Sequence, residues 1–534
     1  MNKDFEKRCE EYFSEKKDAF LKTLDNEPTH GFFLNASKAK KEDILKLIDF
    51  AYQSSNINPN AYYHNEDSIG KTKAFELGLI YPQDIESSIS ISLFEADNIN
   101  LIVDLCAAPG GKTINILNKF KNALCITNDV NYKRASELAK NLERLGLTNT
   151  VITSKDCNKL SNELLGNADL VVLDAPCSGE GMIRKYKEIL NTYDVNRINE
   201  LANIQKELLE DAYNLINENG YILYSTCTYA LEEDEKQIKT FLDNHNDMEL
   251  IPLNIKDNYS KLDGTVKLCP LNNTEGQFIC LLKRNSINSK TKVKILKSIK
   301  NKVVDNFIKD NLNINDYYLY ESNNNFYLSF KPLFDLGQGT IRSGIYLGTL
   351  KNNRFEPSHN LYRSNQLIGK YKYTYELNDE EYDVFVKGLE LKLNLANAYY
   401  LLTYKNNSLG FGKVSSNILK NKYPKGLRRL WYNFLMNSKN VNGEISLSKG
   451  VYKDIVSIIM DKKDCFYPAK KENKYIDVDF DGSDLIITLH IRIKQGVDVV
   501  AKCSELQNEI YETIYQMIGI EFKKIHIDIV GFER

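Results

Sequence analysis

The sequence predicts an α/β fold with a doubly wound, mostly parallel sheet across residues 96–284. Short apolar runs of strand length alternate there with helical stretches. The apolar runs lie at 101–105, 124–127, 151–153, 170–173, 221–224 and 278–282. Between the second and third runs, Ala135, Leu138, Leu142 and Leu145 recur at helical spacing, and Gly146 provides a C-cap. Strand–helix alternation of this kind is typical of a sheet covered by helices on both faces.

The chain is long enough for several domains. At roughly 100–200 residues per domain, 534 residues correspond to three or four. Residues 1–95 mix helical and loop patterns, and residues 285–302 have the Ser/Asn/Lys-rich composition of a linker. Residues 303–440 show shorter strands with glycine turns, and a separate small α+β segment is expected at 441–534. After a first helical run, its predicted elements are strands at 485–493, an amphipathic helix at 497–517 and a final strand at 524–530.

Composition limits the classes of protein that the chain can belong to. The net charge of −2 and the pI of about 6.4 count mildly against a nucleic-acid protein, since such domains often have a pI above about 9. Lys and Arg nevertheless cluster at 38–41, 290–302 and 420–429, where they form either basic contact patches or ordinary solvated surface. The charged N-terminus lacks an apolar signal segment, and no run of about 18 apolar residues occurs. We therefore expect a cytoplasmic protein without a membrane span.

The ten cysteines are scattered, without a CxxC pair or metal-ligand spacing, and the six histidines do not cluster. No metal site is therefore expected, and in a reducing compartment the cysteines should be free thiols. Most free cysteines behave as small buried residues. The cysteines that lie within polar motifs are the candidates for chemistry.

The first motif with chemical content joins a predicted strand to a predicted helix. It reads Asp104-Leu105-Cys106-Ala107-Ala108-Pro109-Gly110-Gly111-Lys112-Thr113. Glycines allow a ligand to approach the backbone closely, and a helix N-terminus offers free N–H groups. The spacing matches neither GxGxxG nor the GxxxxGK[ST] phosphate loop. Taken alone, the motif is equally typical of a plain tight turn.

Acidic residues follow the next two predicted strands. Asp129 lies where an acid suits the two hydroxyls of a ribose, and Asp156 is placed to accept a hydrogen bond from an adenine amine. Either residue could instead be a helix N-cap. Together with the glycine turn, these acids lie at the carboxyl ends of successive strands, where open α/β sheets bind ligands. The combination favours a nucleoside cofactor.

Two further motifs place a cysteine directly after a strand. The segment Asp174-Ala175-Pro176-Cys177-Ser178-Gly179-Glu180-Gly181 follows the run at 170–173, and Ser225-Thr226-Cys227-Thr228-Tyr229 follows the run at 221–224. A cysteine in such a place is often merely buried. Two cysteines at the same sheet edge as a cofactor loop favour a chemical role.

A cysteine pair suits methyl transfer to carbon 5 of cytosine, which is a poor nucleophile. Addition of a thiolate at carbon 6 turns the ring into an enamine that attacks a methyl sulfonium. A free thiol has a pKa near 8.5, and a helix N-terminus lowers it. Residues 231–235 are predicted to form a first helical turn, whose dipole favours the thiolate while its carboxylates oppose it. Asp174 is placed to bind or protonate ring nitrogen 3, and Cys177 to assist removal of the carbon 5 proton and release of Cys227.

At these residues the sequence resembles the Nop2/Sun family of RNA 5-methylcytosine methyltransferases, in particular its bacterial ribosomal RNA enzymes, over about residues 1–435. The pairs Pro176-Cys177 and Thr226-Cys227 match the family's two-cysteine signature, which implies that Cys227 is the nucleophile. DNA cytosine methyltransferases share the chemistry but attack with the Pro-Cys cysteine and lack the Thr-Cys one. The resemblance implies S-adenosylmethionine as cofactor and catalysis by Cys227, Cys177 and Asp174. The implied cofactor-binding residues are Cys106, Ala107, Ala108, Pro109, Gly110, Gly111, Lys112, Asp129, Asp156 and Asp174.

The resemblance also implies a domain plan. A Rossmann-like class I methyltransferase domain is expected at 96–284, an N-terminal RNA-binding region at 1–95 and a PUA-like RNA-binding module at 303–440. Residues 78–84, 184–185, 341–348, 354–359 and 421–428 carry further similarity to the family. One departure is at 32–35, which reads Phe-Phe-Leu-Asn where the family has an Arg-Val-Asn segment.

Residues 443–531 are similar, more loosely, to the alkaline-shock-protein (Gls-type) family. The similarity is carried by residues 443–447, 485–493, 496–497, 505–507, 518–520 and 525–530. It implies an α+β interaction module at 441–534 with a protein partner.

The leading hypothesis is therefore an enzyme that acts on single-stranded or opened RNA, because the target carbon is inaccessible in a stacked helix. Ribosomal RNA is implied by the resemblance alone. One alternative is a non-catalytic RNA-binding assembly factor, although the cysteines and acids that such a protein would lack are present. Two others are a scaffold that acts through its C-terminal domain and a methyltransferase for another nucleic acid or ring position.

Overall fold

The structure is a computed structural model that describes residues 2–286, 289–428, 449–460, 463–469, 474–481, 484–518 and 524–533. The chain divides into two units, Met1–Pro424 and Lys425–Arg534. The described α-helices are α1 Lys3–Phe13, α2 Lys17–Thr23, α3 Lys41–Leu45, α4 Lys73–Glu76, α5 Ile85–Ser92, α6 Gly111–Lys119, α7 Tyr132–Leu145, α8 Cys157–Glu163, α9 Val195–Leu215, α10 Glu235–Asn244, α11 Lys302–Asn311, α12 His359–Arg363, α13 Asp379–Val386, α14 Lys449–Met460 and α15 Val499–Ile518.

The strands are numbered in chain order in the same way. They are β1 Gly31–Leu34, β2 Tyr52–Ser54, β3 Ala61–His64, β4 Ile80–Pro82, β5 Leu101–Asp104, β6 Leu124–Asn128, β7 Thr150–Thr153, β8 Ala168–Asp174, β9 Ile216–Thr226, β10 Met248–Ile251, β11 Val266–Leu268, β12 Gln277–Arg284, β13 Tyr318–Ser322, β14 Asn325–Ser329, β15 Thr340–Ser343, β16 Ile345–Lys351, β17 Arg354–Pro357, β18 Thr374–Glu376, β19 Leu391–Lys392, β20 Tyr399–Tyr404, β21 Asn407–Ser415, β22 Ile418–Asn421, β23 Phe466–Pro468, β24 Ile476–Asp481, β25 Asp484–Lys494 and β26 Lys524–Glu533.

A nine-stranded sheet organises the first unit, in the order β10-β12-β9-β8-β5-β6-β7-β15, with β11 paired to β12. The five central strands, β9 through β7, pair in parallel, and the outer strands pair antiparallel. The parallel core of the predicted sheet is thus confirmed, but the antiparallel outer strands, which include the run predicted at 278–282, make the whole sheet mixed. The chain runs outward from β5 through β6 to β7 and then returns to the other side of β5 as β8. The order of the strands reverses there, so a crevice opens beyond the carboxyl ends of β5 and β8.

Apolar side chains on both faces hold this sheet against its helices. Along β5, Ile102 packs into one buried cluster while Leu101 and Val103 pack into the other, as the alternation of a strand requires. The predicted apolar face of α7 is confirmed, since Leu138 and Leu142 are buried. Burying each such leucine stabilises the fold by about 1.5–3 kcal/mol.

The rest of the first unit joins segments that are far apart in sequence. Three smaller sheets have the orders β2-β3-β1-β4, β13-β14-β16-β17 and β18-β20-β21-β22-β19. One buried cluster combines Phe32 and Leu34 of the N-terminal region with Leu402 and Leu409. In the segment that departs from the family pattern, Asn35 donates to the carbonyls of Gly78 and Leu145, both at 2.8 Å.

The second unit contains a sheet in which β25 pairs with β24 and β23 in antiparallel fashion and with β26 in parallel. Ile455 and Ile459 of α14 and Leu506 of α15 pack in one cluster with residues of β25. The strands and the amphipathic helix predicted at 485–493, 497–517 and 524–530 are therefore present, with shifted ends. The similarity noted at 443–447 and 519–520 lies outside the described residues. No described helix has both the length and the hydropathy needed to cross a bilayer.

Candidate active site

A cleft of about 840 Å³ lies at the crevice where the order of the strands reverses. Its walls come from the loops after the parallel strands, from α9 and from the start of α5. Of the predicted site residues, Cys106, Ala108, Lys112, Asp129, Asp156, Asp174, Cys177 and Cys227 line it. Predicted site residues from Cys106 to Cys227 thus meet in one cavity, because the carboxyl ends of parallel strands lie at the same edge of a sheet.

The predicted cofactor loop crosses the carboxyl end of the sheet. The backbone N–H groups of Leu105 and Ala107 donate to Val172 and Asn128, at 3.0 and 2.8 Å, so the neighbouring strands fix its path. Gly110 has φ of +115°, a conformation that favours glycine, and it begins α6 as the N-cap. Ala107, Pro109, Gly110 and Gly111 shape the turn, while the flanking side chains face the cleft.

Lys112 links two walls of the cleft. Its side chain is 4% exposed, and its Nζ lies 2.7 Å from Asp174 Oδ1. The same Nζ donates to Ser87 Oγ at 3.4 Å, and Ser225 Oγ donates to Asp174 Oδ1 at 2.9 Å. Asp174, Lys112 and Ser87 therefore form a row of polar groups along one side of the cleft.

The two acids after β6 and β7 have different environments. Asp129 is buried, accepts from the Asn131 N–H at 3.0 Å and lies 3.5 Å from Arg134. Asp156 caps α8 by accepting from the N–H groups of Asn158 and Lys159 at 3.1 and 3.3 Å. Its N-cap role and its place in the cleft wall are thus compatible, so the two alternatives left open by the sequence do not exclude each other.

The two cysteines meet at the other end of the cleft. Cys177 follows β8 and Cys227 follows β9, and their Sγ atoms lie 3.2 Å apart. Both are free thiols, because a disulfide has an S–S length of about 2.05 Å. The Cys227 N–H also donates to Cys177 Sγ at 3.3 Å. The hydrogen bond with Cys227 and burial raise the pKa of Cys177 well above its ordinary value.

Two buried glutamates fix the cysteine loops. Glu233 accepts from the Ser178 N–H at 3.0 Å and from Gln205 Nε2 at 2.8 Å, and Gln205 also donates to the Pro176 carbonyl. Glu180 accepts from the Tyr229 N–H and from Thr228 Oγ1, each at 3.1 Å. Burial raises the pKa of Glu233 to about 7 and also raises that of Glu180.

The predicted helical turn at 231–235 is wrong in position. Only Glu235 of this run belongs to a helix, because α10 begins there. The residues before it form a turn in which Asp234 accepts from Thr226 Oγ1 at 2.6 Å and pairs with Lys267 at 2.9 Å. Asp234 therefore bonds to Thr226 and Lys267 in this turn, and residues 231–234 lie before the helix.

Three acids near the cleft were assigned no role from the sequence, although Asp84 lies in the stretch at 78–84 that carries similarity to the family. Asp84 pairs with Lys185, and Glu86, in the first turn of α5, lines the cleft with 2% of its surface exposed. Glu275 is fully buried and 2.6 Å from Arg184. An acid at the start of a helix is usually solvated and favoured by the dipole, so Glu86 could not be distinguished from its neighbours by sequence.

The fold and the cleft define a Rossmann-like class I methyltransferase that uses S-adenosylmethionine. Four family models match consecutive parts of the chain: "N-terminal domain of 16S rRNA methyltransferase RsmF" at 1–85, "16S rRNA methyltransferase RsmB/F" at 91–283, "RsmF rRNA methyltransferase first C-terminal domain" at 306–363 and "Methyltransferase RsmF PUA domain" at 372–429. These residues therefore match models of RsmF-type rRNA methyltransferases, and a PUA-like domain is supported at 372–429.

Individual relatives agree with the family models. The "Ribosomal RNA small subunit methyltransferase F" of Psychromonas ingrahamii is 27% identical over 385 residues, which are 66% of this chain and 79% of that protein. The "26S rRNA (cytosine-C(5))-methyltransferase nsun-1" of Caenorhabditis elegans is 27% identical, over 53% of this chain and 46% of its own length. This chain therefore spans about half of the nematode protein. A solved structure titled "Crystal Structure of PH0851" is 28% identical with a TM-score of 0.50, over 52% of this chain and 65% of that one.

Proposed function

We propose that this protein methylates carbon 5 of a cytosine in ribosomal RNA, with Cys227 as nucleophile and Cys177 as the residue that assists its release. The observation that carries the proposal is the pair of free thiols 3.2 Å apart in the wall of the cleft. The relatives support the choice of substrate, because their names specify ribosomal RNA and, for the nematode protein, carbon 5 of cytosine.

The residues present fit S-adenosylmethionine. A cleft of about 840 Å³ is within the range of roughly 300–1,000 Å³ that is usual for ligand pockets. The loop from Cys106 to Lys112 would hold the cofactor, with Asp129 at the ribose hydroxyls and Asp156 at the adenine amine. When bound, the cofactor supplies a methyl group on a positively charged sulfur.

The Cys227 thiolate starts the reaction by forming a bond from Sγ to carbon 6 of the cytosine. The electron pair of the double bond between carbons 5 and 6 then shifts toward carbon 5 and, through carbon 4, toward nitrogen 3. Asp174, at the edge of the cleft beside Lys112, would bind the side of the base that carries nitrogen 3 and the 4-amino group. Carbon 5 gains electron density through this step and becomes able to accept the methyl group.

Release requires loss of the carbon 5 proton and cleavage of the bond between Cys227 and carbon 6. The Cys177 thiol, which keeps its proton because its pKa is raised, donates that proton to the departing Cys227 sulfur. The Cys177 thiolate formed in this way accepts the proton of carbon 5. The electron pair of the broken C–H bond restores the ring double bond, so both cysteines end as thiols.

The test measures methyl transfer from tritiated S-adenosylmethionine to ribosomal RNA or small subunits of the source organism. Wild type should label 5-methylcytosine, Cys227→Ala should not, and Cys177→Ala should retain RNA bound to protein on a denaturing gel. Cys503→Ala, in the second unit, is the control and should behave as wild type. If Cys227→Ala methylates normally and Cys177→Ala is inactive without an adduct, the two roles are reversed. Cofactor and RNA binding without transfer to any RNA would instead favour an assembly factor.

RNA recognition is proposed for the regions that flank the methyltransferase domain. Residues of the N-terminal region at 1–95 and residues 377–423, which lie within the proposed PUA-like module at 303–440, share a buried cluster in the first unit. Residues 441–534 are proposed as an alkaline-shock-type interaction module for a protein partner, which methylation itself does not need.

A further inference from the structure

Glu86 is a buried acid in the wall of the cleft. It lies in the first turn of α5, has 2% of its surface exposed and lines the same cleft as Lys112, Asp174 and Cys227. Within the part of the chain that the structure describes, no other residue donates a hydrogen bond to either of its carboxylate oxygens. Buried polar groups in folded proteins are nearly always satisfied, and an exception is explained by strain, by a bound water, ion or ligand, or by a catalytic role.

Among the described residues, the cations near Glu86 form ion pairs with other acids. Lys185 is paired with Asp84, just before α5. Glu275, on the facing segment, is paired with Arg184 at 2.6 Å. Tyr63 of β3 also interacts with Glu86 electrostatically. Burial, followed by repulsion from Asp84, raises the pKa of Glu86 to about 8. At neutral pH the side chain is therefore mainly a carboxylic acid, which carries one O–H donor.

The position of Glu86 indicates which part of the substrate it faces. Asp174, Lys112 and Ser87 form a row, with Lys112 Nζ 2.7 Å from Asp174 and 3.4 Å from Ser87. Glu86 precedes Ser87 in α5, and both residues line the cleft. The edge of a cytosine also presents three polar groups in order: the 4-amino group, nitrogen 3 and the carbonyl oxygen O2. If Asp174 binds the 4-amino group of the cytosine, the other end of the same edge, which carries O2, is directed toward α5.

We propose that the Glu86 carboxyl group donates a hydrogen bond to O2 of the target cytosine and stabilises the charge that develops when Cys227 adds to carbon 6. This inference rests on the proposed function. The electron pair displaced by the thiolate reaches nitrogen 3, which shares its negative charge with O2 through carbon 2. No proton is transferred to O2; the donor only strengthens its hydrogen bond as the charge grows. Glu86 is thus assigned as a catalytic residue that acts on the reacting ring.

The experiment compares wild type, Glu86→Gln and Glu86→Ala in the full-length chain between pH 6 and 9.5. Glutamine is a neutral donor at every pH in this range, whereas alanine donates nothing. Glu95→Gln makes the same change at an exposed position three residues after α5 and serves as the control. The measurements are kcat/KM for methyl transfer to ribosomal RNA, the Kd for S-adenosylmethionine, and thermal denaturation.

At pH 7, Glu86→Ala should lower kcat/KM by about 100-fold or more, which is the usual effect of removing one such donor, while Glu86→Gln should stay within about tenfold of wild type. The kcat/KM of wild type divided by that of Glu86→Gln does not depend on the titration of the cysteines, because both proteins contain the same cysteines. It should be constant below about pH 7 and fall toward tenfold per pH unit above about pH 8, as Glu86 loses its proton. Cofactor affinity and the denaturation midpoint should change little among the variants.

A pH-independent ratio, or an alanine variant as active as wild type, would overturn the role of Glu86 while leaving the proposed function intact. A wild type that transfers no methyl group to any RNA would overturn both. A loss of activity in Glu86→Ala that accompanies an equally large loss of thermal stability, and that Glu86→Gln shares at every pH, would show that the residue is structural.

Discussion

Removal of Arg184 should loosen the Cys227 loop, even though Arg184 does not line the cleft. The Arg184 side chain is 4% exposed and donates through Nε and Nη2 to the fully buried Glu275, at 2.9 and 2.6 Å. Next to Glu275, the Gly276 N–H donates to Gly181 at 3.0 Å, and the Gly181 N–H donates to the Cys227 carbonyl at 2.9 Å. The ion pair is thus two backbone hydrogen bonds away from the nucleophile.

The size of the effect follows from the burial of the pair. Among the described residues, Arg184→Met leaves Glu275 with only the N–H and hydroxyl of Thr29 as donors, at 2.9 and 3.2 Å. Removing one partner of a buried ion pair costs about 3–5 kcal/mol. At 1.4 kcal/mol per tenfold, this corresponds to at least about 100-fold faster opening of the loop.

Hydrogen exchange of the native full-length protein, followed by mass spectrometry, measures this opening directly. Peptides that cover 178–184 and 270–278 should exchange at least about 100-fold faster in Arg184→Met. Arg184→Met combined with Glu275→Leu should recover most of the protection, because replacing both partners by apolar groups is often nearly neutral. Arg197→Met is the matched control, since Arg197 is 58% exposed and its pair with Glu200 is worth about 1 kcal/mol or less. Unchanged exchange in Arg184→Met, or no recovery in the double variant, would refute the reasoning.

Three further predictions concern the glycines behind the cysteine loop, a buried acid under the cofactor loop, and the second unit. Gly276→Ala should reduce methyl transfer strongly, because its Cβ would lie 2.3 Å from Gly181 Cα, whereas Gly70→Ala meets nothing within 4 Å and should be active. Burial raises the pKa of Asp104 from 3.8 to about 7, so the folded state holds this proton more tightly and stability falls as the pH rises through that range. The thermal midpoint of Asp104→Asn should therefore gain on wild type between pH 5 and 8, and equal pH dependence would contradict this. Deleting 441–534 should leave methylation in vitro unchanged, and its loss would assign catalytic importance to that segment.

The periodic parts of the chain could be predicted well from sequence. The parallel sheet and the buried face of α7 follow from local apolar patterns, and the cysteines meet because both stand at the carboxyl ends of adjacent parallel strands, β8 and β9. The sequence motifs do not predict that the two thiols are in direct contact, which the Sγ–Sγ distance of 3.2 Å shows.

Features set by distant contacts could not be predicted. β15 pairs with β7 at the edge of the central sheet, although its sequence lies within the segment predicted as a separate module. The start of α10 is displaced by the buried pairing of Asp234 with Lys267, more than 30 residues away. Glu86 becomes unusual only because the fold buries it and gives it no partner. In each case the feature depends on residues that are distant in sequence, so the neighbouring residues do not predict it.

The central claim is that Cys227 forms a covalent bond to the target cytosine and that Cys177 assists its release. The most direct measurement incubates Cys177→Ala with ribosomal RNA and S-adenosylmethionine, digests the denatured product with nuclease and protease, and identifies the modified peptide by mass spectrometry. We expect a methylated cytidine nucleotide on the peptide that contains Cys227, and none when Cys227 is also replaced by alanine. A nucleotide on another residue, or active methylation by Cys227→Ala, would contradict it.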